Sequence, residues 1–169
     1  VYFDVYLLVA DGLGNEIISG VKIIDLGLFK GRIKKFIKTY SAILNQVDII
    51  KPCIAHFHDA ELMIVGKAIQ NRGIITYYDI HENVAAQILD KKHISALLRK
   101  TLHCVYRIVE YFLINSFHLI LAEDSYKKLY IDKGQSITTV LNLPELNSFE
   151  NFVIDKRINN GIFYIGGIS

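Results

Sequence analysis

Long hydrophobic runs, cysteine pairs and strong charge of either sign are what this 169-residue chain has little of. No stretch approaches the roughly 18 apolar residues of a spanning helix, and the N-terminus carries neither a basic segment nor the apolar core of a signal peptide. A cytoplasmic protein is expected. The two cysteines, Cys53 and Cys104, stand far apart without a CxxC spacing, which excludes a disulfide framework and a cysteine-based zinc site. They read as reduced thiols, Cys53 in a buried strand and Cys104 in a helix. A net charge of +2 and a pI near 8.5 are too mild to imply a nucleic-acid partner. Internal repeats and low-complexity segments are missing too.

What the chain does have is apolar residues, 51% of the total, enough for a layered core. Their spacing alternates. Asp4 to Ala10 is a continuous apolar run, as expected for a strand buried on both faces, and Asp11-Gly-Leu-Gly14 turns the chain. Val21 to Asp25 reads as a second strand. Ile33, Phe36, Ile37, Tyr40, Leu44 and Val47 then recur at helical spacing, with Lys34, Lys35 and Lys38 on the other face, until Lys51-Pro52 breaks the helix. Cys53 to Phe57 is the next strand, followed by a helix marked by Leu62, Val65 and Ile69 and stopped at Gly73.

Ile74 to Ile80 is a strand, and a long helix from Ser95 to Ser116 has Ser95 as its cap and Leu98, Leu102, Val105, Val109, Phe112 and Leu113 as its apolar face. His118 to Ala122 is a strand, Asp124 to Lys133 a short helix closed by Gly134, and Ile137 to Leu141 a last strand. This order predicts an α/β, Rossmann-like fold: a mostly parallel sheet with helices on both faces. The texture changes after residue 144. Residues 1–144 are expected to form one domain, 145–161 a linker, and 162–169, which end in Gly166-Gly167, the start of a second domain.

Two strands end in titratable residues. Ala55-His-Phe-His-Asp-Ala-Glu-Leu62 passes from strand to helix through His56, His58, Asp59 and Glu61. Tyr78-Asp-Ile-His-Glu-Asn83 does so through His81, Glu82 and Asn83. Ligands of open α/β sheets bind beyond the carboxyl ends of the strands, so both ends are expected to face one cleft. His56 and His58 share a strand face and, with Asp59, have the donor types of a zinc site. The pattern has no third histidine at a ligand spacing, so no metal and no cofactor is expected. Asp59 also fits the cap of the following helix, with Glu61 in its first turn. Asp79, inside its strand, reads as a structural carboxylate. His81, Glu82 and Asn83 form a run of hydrogen-bonding side chains suited to gripping sugar hydroxyls or a phosphate. Lys91, Lys92, Arg99, Lys100 and Arg107, with the lysines of the first helix, make basic faces that suit either solvent or an anionic lipid surface.

Five segments in register, His56-Phe-His-Asp-Ala-Glu-Leu62, Tyr78-Asp-Ile-His-Glu-Asn-Val84, Gln87-Ile-Leu-Asp-Lys-Lys92, Asn142-Leu-Pro144 and Tyr164-Ile-Gly-Gly-Ile-Ser169, resemble the bacterial group 1 glycosyltransferases (glycosyltransferase family 4). The resemblance implies the acceptor-side N-terminal domain of a GT-B enzyme, without the family's first strand and the glycine-rich loop after it. It implies a retaining transfer from a nucleotide-sugar to a glycan or lipid-linked acceptor, of the kind that builds capsule or lipopolysaccharide, usually without metal. By the same resemblance His81 is the catalytic loop histidine, and His58, Asp59, Glu61, Glu82 and Asn83 border the acceptor. Gly166 and Gly167 enter the donor-binding domain. Peripheral contact with the inner face of an anionic membrane follows from lipid-linked acceptors. Glu123 departs from the small or hydroxyl residue usual after that strand. Two other readings are a non-catalytic sugar-binding module and a metal-dependent hydrolase using His56, His58 and Asp59.

Overall fold

The structure, a computed structural model, describes residues 3–29 and 31–141. The expected linker, the expected second domain with Gly166 and Gly167, and the side chains of Lys34 and Lys35 lie outside those residues. An α/β architecture is present. Four strands, β4 (Ile54–Phe57), β5 (Ile75–Ile80), β6 (His118–Leu121) and β7 (Ser136–Thr139), form an all-parallel sheet in sequential order. Among the described residues three strands precede these: β1 (Tyr6–Val9) and β3 (Val21–Asp25) pair in parallel, and β2 (Glu16–Ile18) runs antiparallel to β3. These three make a separate small sheet.

The parallel sheet takes its form from its connections, because parallel neighbours need crossovers and the crossovers here are helical. Helix α1 (Arg32–Ile50) leads into β4 and ends on Lys51, which turns left-handed (φ 50°) and donates its backbone N–H to the Val47 carbonyl before Pro52 forbids continuation. A single 3-10 turn over Ala60–Leu62 and helix α2 (Met63–Gln70) join β4 to β5. Helices α3 (Val84–Asp90) and α4 (Ala96–Leu113) join β5 to β6, and α5 (Lys127–Tyr130) precedes β7. Gly134 closes that last connection at φ 73°, where an added Cβ would lie 2.6 Å from the Leu119 side chain. Among the described residues no helix is long and apolar enough to cross a membrane.

Alternation along the strands sends Phe57, Tyr78, Ile80, Leu119 and Leu121 to one side of the sheet, where they meet Met63, Ile114, Phe117 and Tyr130 in one core cluster. Phe57 stacks on Tyr78 at 4.8 Å and meets Phe117 edge-on at 5.2 Å. A second cluster, Val47, Val65 and Ile69, packs α1 and α2 together. One charge is taken into the core side. The Glu110 carboxylate, on α4, accepts hydrogen bonds from the Tyr106 hydroxyl (3.2 Å), the Tyr130 hydroxyl (3.0 Å) and the half-exposed Arg107 guanidinium (2.6 Å). Burial pushes the Tyr78 phenol up to about 12, with the Glu110 and Asp59 carboxylates adding to the rise.

Three expectations are corrected. Leu98, Leu102, Val105 and Phe112 of α4 are exposed; of the expected face Leu113 packs against the core, joined there by Tyr106 and Glu110, so the inward side lies about a quarter turn from the expected one. On that side Glu110 is held by two phenols and a guanidinium. Cys53 is exposed and precedes its strand. Val5, Tyr6 and Leu7 are exposed as well, so β1 is not buried on both faces. Two elements were not expected from the sequence, β2 and α3. The signals for them are local: Ser19-Gly20, both at positive φ, make the hairpin turn between β2 and β3, and Asn83 caps α3.

Candidate functional site

The polar residues gather at the carboxyl edge of the parallel sheet. In its register His56 stands beside Tyr77 and Phe57 beside Tyr78, which places His58, the next residue, beside Asp79. His56, His58, Asp79 and His81 therefore occupy the side of the sheet opposite Phe57, Tyr78 and Ile80. Three imidazoles meet there around one carboxylate. His56 Nε2 is 3.3 Å and His58 Nδ1 is 3.4 Å from Asp79 Oδ2, and His81 Nε2 is 3.0 Å from Asp79 Oδ1. His58 Nδ1 also lies 3.3 Å from His81 Nε2. The Asp79 side chain is 13% exposed, the three rings 39–59%. Asp79 is thus the hub of the site. The third histidine missing from the local pattern is His81, 23 residues beyond His58 in sequence and delivered by strand pairing. The carboxylate facing His56 and His58 is Asp79, where Asp59 had been the sequence choice.

Next to the cluster is a cleft of about 510 Å³ lined by His81, Glu82, Ala122, Glu123, Asp124, Ser125 and Leu141. His81 belongs to both. The ends of β5 and β6 build this cleft, as expected for a parallel sheet. Tyr126 donates its hydroxyl hydrogen to the His81 carbonyl at 3.3 Å, which ties the two strand ends together. Its phenol is raised, by burial first and then by the Glu123 and Glu82 carboxylates.

The remaining expected site residues divide. Glu82 lines the cleft and accepts from the Gln87 side chain at 2.8 Å. Asn83 is a helix cap: its side-chain oxygen accepts the Ala86 N–H at 3.1 Å, so the α3 N-terminus holds it. Asp59 takes the cap position before Ala60 without a side-chain cap bond, and its backbone carbonyl accepts the Leu62 N–H. Asp59 and Glu61 are exposed on the turn beyond β4. Glu123 and Ser125 are site residues suggested by the geometry; the Ser125 hydroxyl donates to Glu123 at 2.8 Å.

Comparison with protein-family models, with curated proteins and with solved structures returned no match.

Proposed function

We propose that this chain is the acceptor-side domain of a retaining glycosyltransferase, one that moves a sugar from a nucleotide-sugar to a glycan or lipid-linked acceptor in cell-surface polysaccharide synthesis. The supporting observation is the cleft at the carboxyl edge of the sheet, where His81, Glu82, Glu123, Asp124 and Ser125 present donors and acceptors together. A hydroxyl-rich ligand needs such groups. In this reading His81, held by Asp79 through Nε2, presents its other ring nitrogen to the reacting sugars. The departing diphosphate is stabilised from the second domain, and preorganised dipoles and charges favour an oxocarbenium-like sugar. The exposed apolar side chains of α4, Leu98, Leu102, Val105 and Phe112, with Lys100 and Arg107 on the same helix, support peripheral contact with an anionic membrane carrying the acceptor.

The test is transfer by the full-length protein from a panel of nucleotide-sugars to glycan acceptors. His81→Ala is expected to lower turnover ten- to a thousandfold, on the order of a lost charge-stabilising donor, with an unchanged melting temperature. Equal turnover with a lowered melting temperature would make His81 structural and overturn its role.

A further inference from the structure

Three ring nitrogens crowd one carboxylate. His56 Nε2 and His58 Nδ1 stand 3.3 and 3.4 Å from Asp79 Oδ2, His81 Nε2 stands 3.0 Å from Oδ1, and His58 Nδ1 lies 3.3 Å from His81 Nε2. A neutral imidazole has one N–H and one lone pair, and an ionised carboxylate has room for several N–H donors, so hydrogen bonds can satisfy the cluster. With lone pairs turned inward, the same atoms are a ready donor set for a divalent cation, which accepts lone pairs from nitrogen and oxygen alike.

Two of the three donor spacings agree with a metal site as they stand. Zinc holds imidazole nitrogen and carboxylate oxygen at about 2.0–2.1 Å, so neighbouring donors of a tetrahedral site stand roughly 3.3–3.4 Å apart. His56 to Asp79 and His58 to Asp79 measure 3.3 and 3.4 Å; the three donor atoms span up to 4.8 Å, so the exposed rings must turn inward to close on an ion. Imidazole and carboxylate together suit zinc and its transition-metal neighbours better than magnesium or calcium, which take oxygen donors. The rings are open enough for an ion to enter, while Asp79 is largely shielded.

We propose that His56 Nε2, His58 Nδ1 and Asp79 Oδ2 bind a divalent transition metal, zinc by ligand type, with His81 bordering its open fourth position. Three protein ligands with one position free is the arrangement of zinc sites that act on a bound oxygen ligand. The free position adjoins His81, and His81 also lines the cleft. The site goes beyond the glycosyltransferase reading and does not rest on it, since metal binding is measured here without any sugar.

The experiment uses the tag-free chain, stripped with a chelator and dialysed, then titrated with zinc by calorimetry and with cobalt by visible absorption. One equivalent is expected, with the intense d–d bands of a low-coordinate cobalt site. His56→Ala and the isosteric Asp79→Asn should each weaken binding by about a hundredfold or more, and His81→Ala by less than about tenfold, the lower end of losses seen for groups that only support ligands. His93→Ala, outside the cluster, should bind as the parent does. No stoichiometric binding, or binding that survives both Asp79→Asn and His56→Ala, would overturn the proposal. A loss in His81→Ala equal to that in Asp79→Asn would overturn the three-donor assignment. Because His56 is nearly half exposed, its removal leaves the core intact and keeps the test readable even if Asp79→Asn unfolds.

Discussion

The two sheets are built from similarly apolar residues and meet different fates. In the four-stranded sheet Tyr78, Ile80, Leu119 and Leu121 are at most 2% exposed. In the three-stranded sheet Leu7, Ile17 and Ile18 are at least 48% exposed. Topology accounts for the difference. Each parallel pair in β4–β7 requires a crossover, and the helices of those crossovers cover the side that carries Phe57, Tyr78 and Ile80. The small sheet has no such helix: β1 reaches its parallel neighbour β3 through Asp11-Gly-Leu-Gly14 and β2, and β2 turns into β3 at Ser19-Gly20. Apolar content makes a strand; the length of its connection decides whether the strand is covered.

Substitutions can break or sharpen this contrast. The largest effect is expected for Phe117→Ala. The ring is fully buried between Phe57 and Tyr78, and its loss should cost about 3–5 kcal/mol, read from denaturant unfolding. A cost under 1 kcal/mol would show that the parallel sheet is not the stable unit. Leu7→Ala in β1 should change stability by less than about 0.5 kcal/mol in the same assay, as surface changes do. A loss of several kcal/mol there would mean that this face is covered in the protein, and the contrast would fail.

The smallest effect concerns Asp25, at the end of β3. Its carboxylate accepts backbone N–H groups from Gly27 (2.8 Å), Gly14 (3.1 Å) and Gly12 (3.2 Å), and those bonds hold its pKa below the usual carboxylate value. Because the folded pKa is the lower one, the contribution is complete above the unfolded value of 3.8 and fades as pH falls through the folded value. Amide exchange at Gly12, Gly14 and Gly27 should therefore rise, relative to its intrinsic rate, only below about pH 4 and before the amides of β5 and β6 respond. Asp25→Asn should remove that pH dependence.

The parallel sheet was legible because its strands are short apolar runs stopped by polar residues, and the helix ends because Lys51-Pro52 and Ser95 carry their own geometry. The orientation of α4 was not. Hydrophobic periodicity picked Leu98, Leu102 and Val105, and it has no way to weigh a carboxylate that two tyrosines and an arginine make tolerable inside. The candidate site was half legible. Strand ends with His58 and His81 could be read, whereas the convergence on Asp79 depends on which strands pair and in what register, a long-range fact absent from any local spacing.

That dependence makes the histidine cluster a parity check on the fold. Slipping β4 by one residue along β5 would turn Phe57 out of the core and the histidines into it. A slip of two restores the faces but displaces His56 and His58 by roughly 6.6 Å, twice the rise per residue, and contacts of 3.3–3.4 Å to Asp79 do not survive such a shift. Of the nearby pairings only one satisfies both tests. Whatever binds His56, His58 and Asp79 at once therefore reads out that single alignment and, by mass action, favours it over every neighbour.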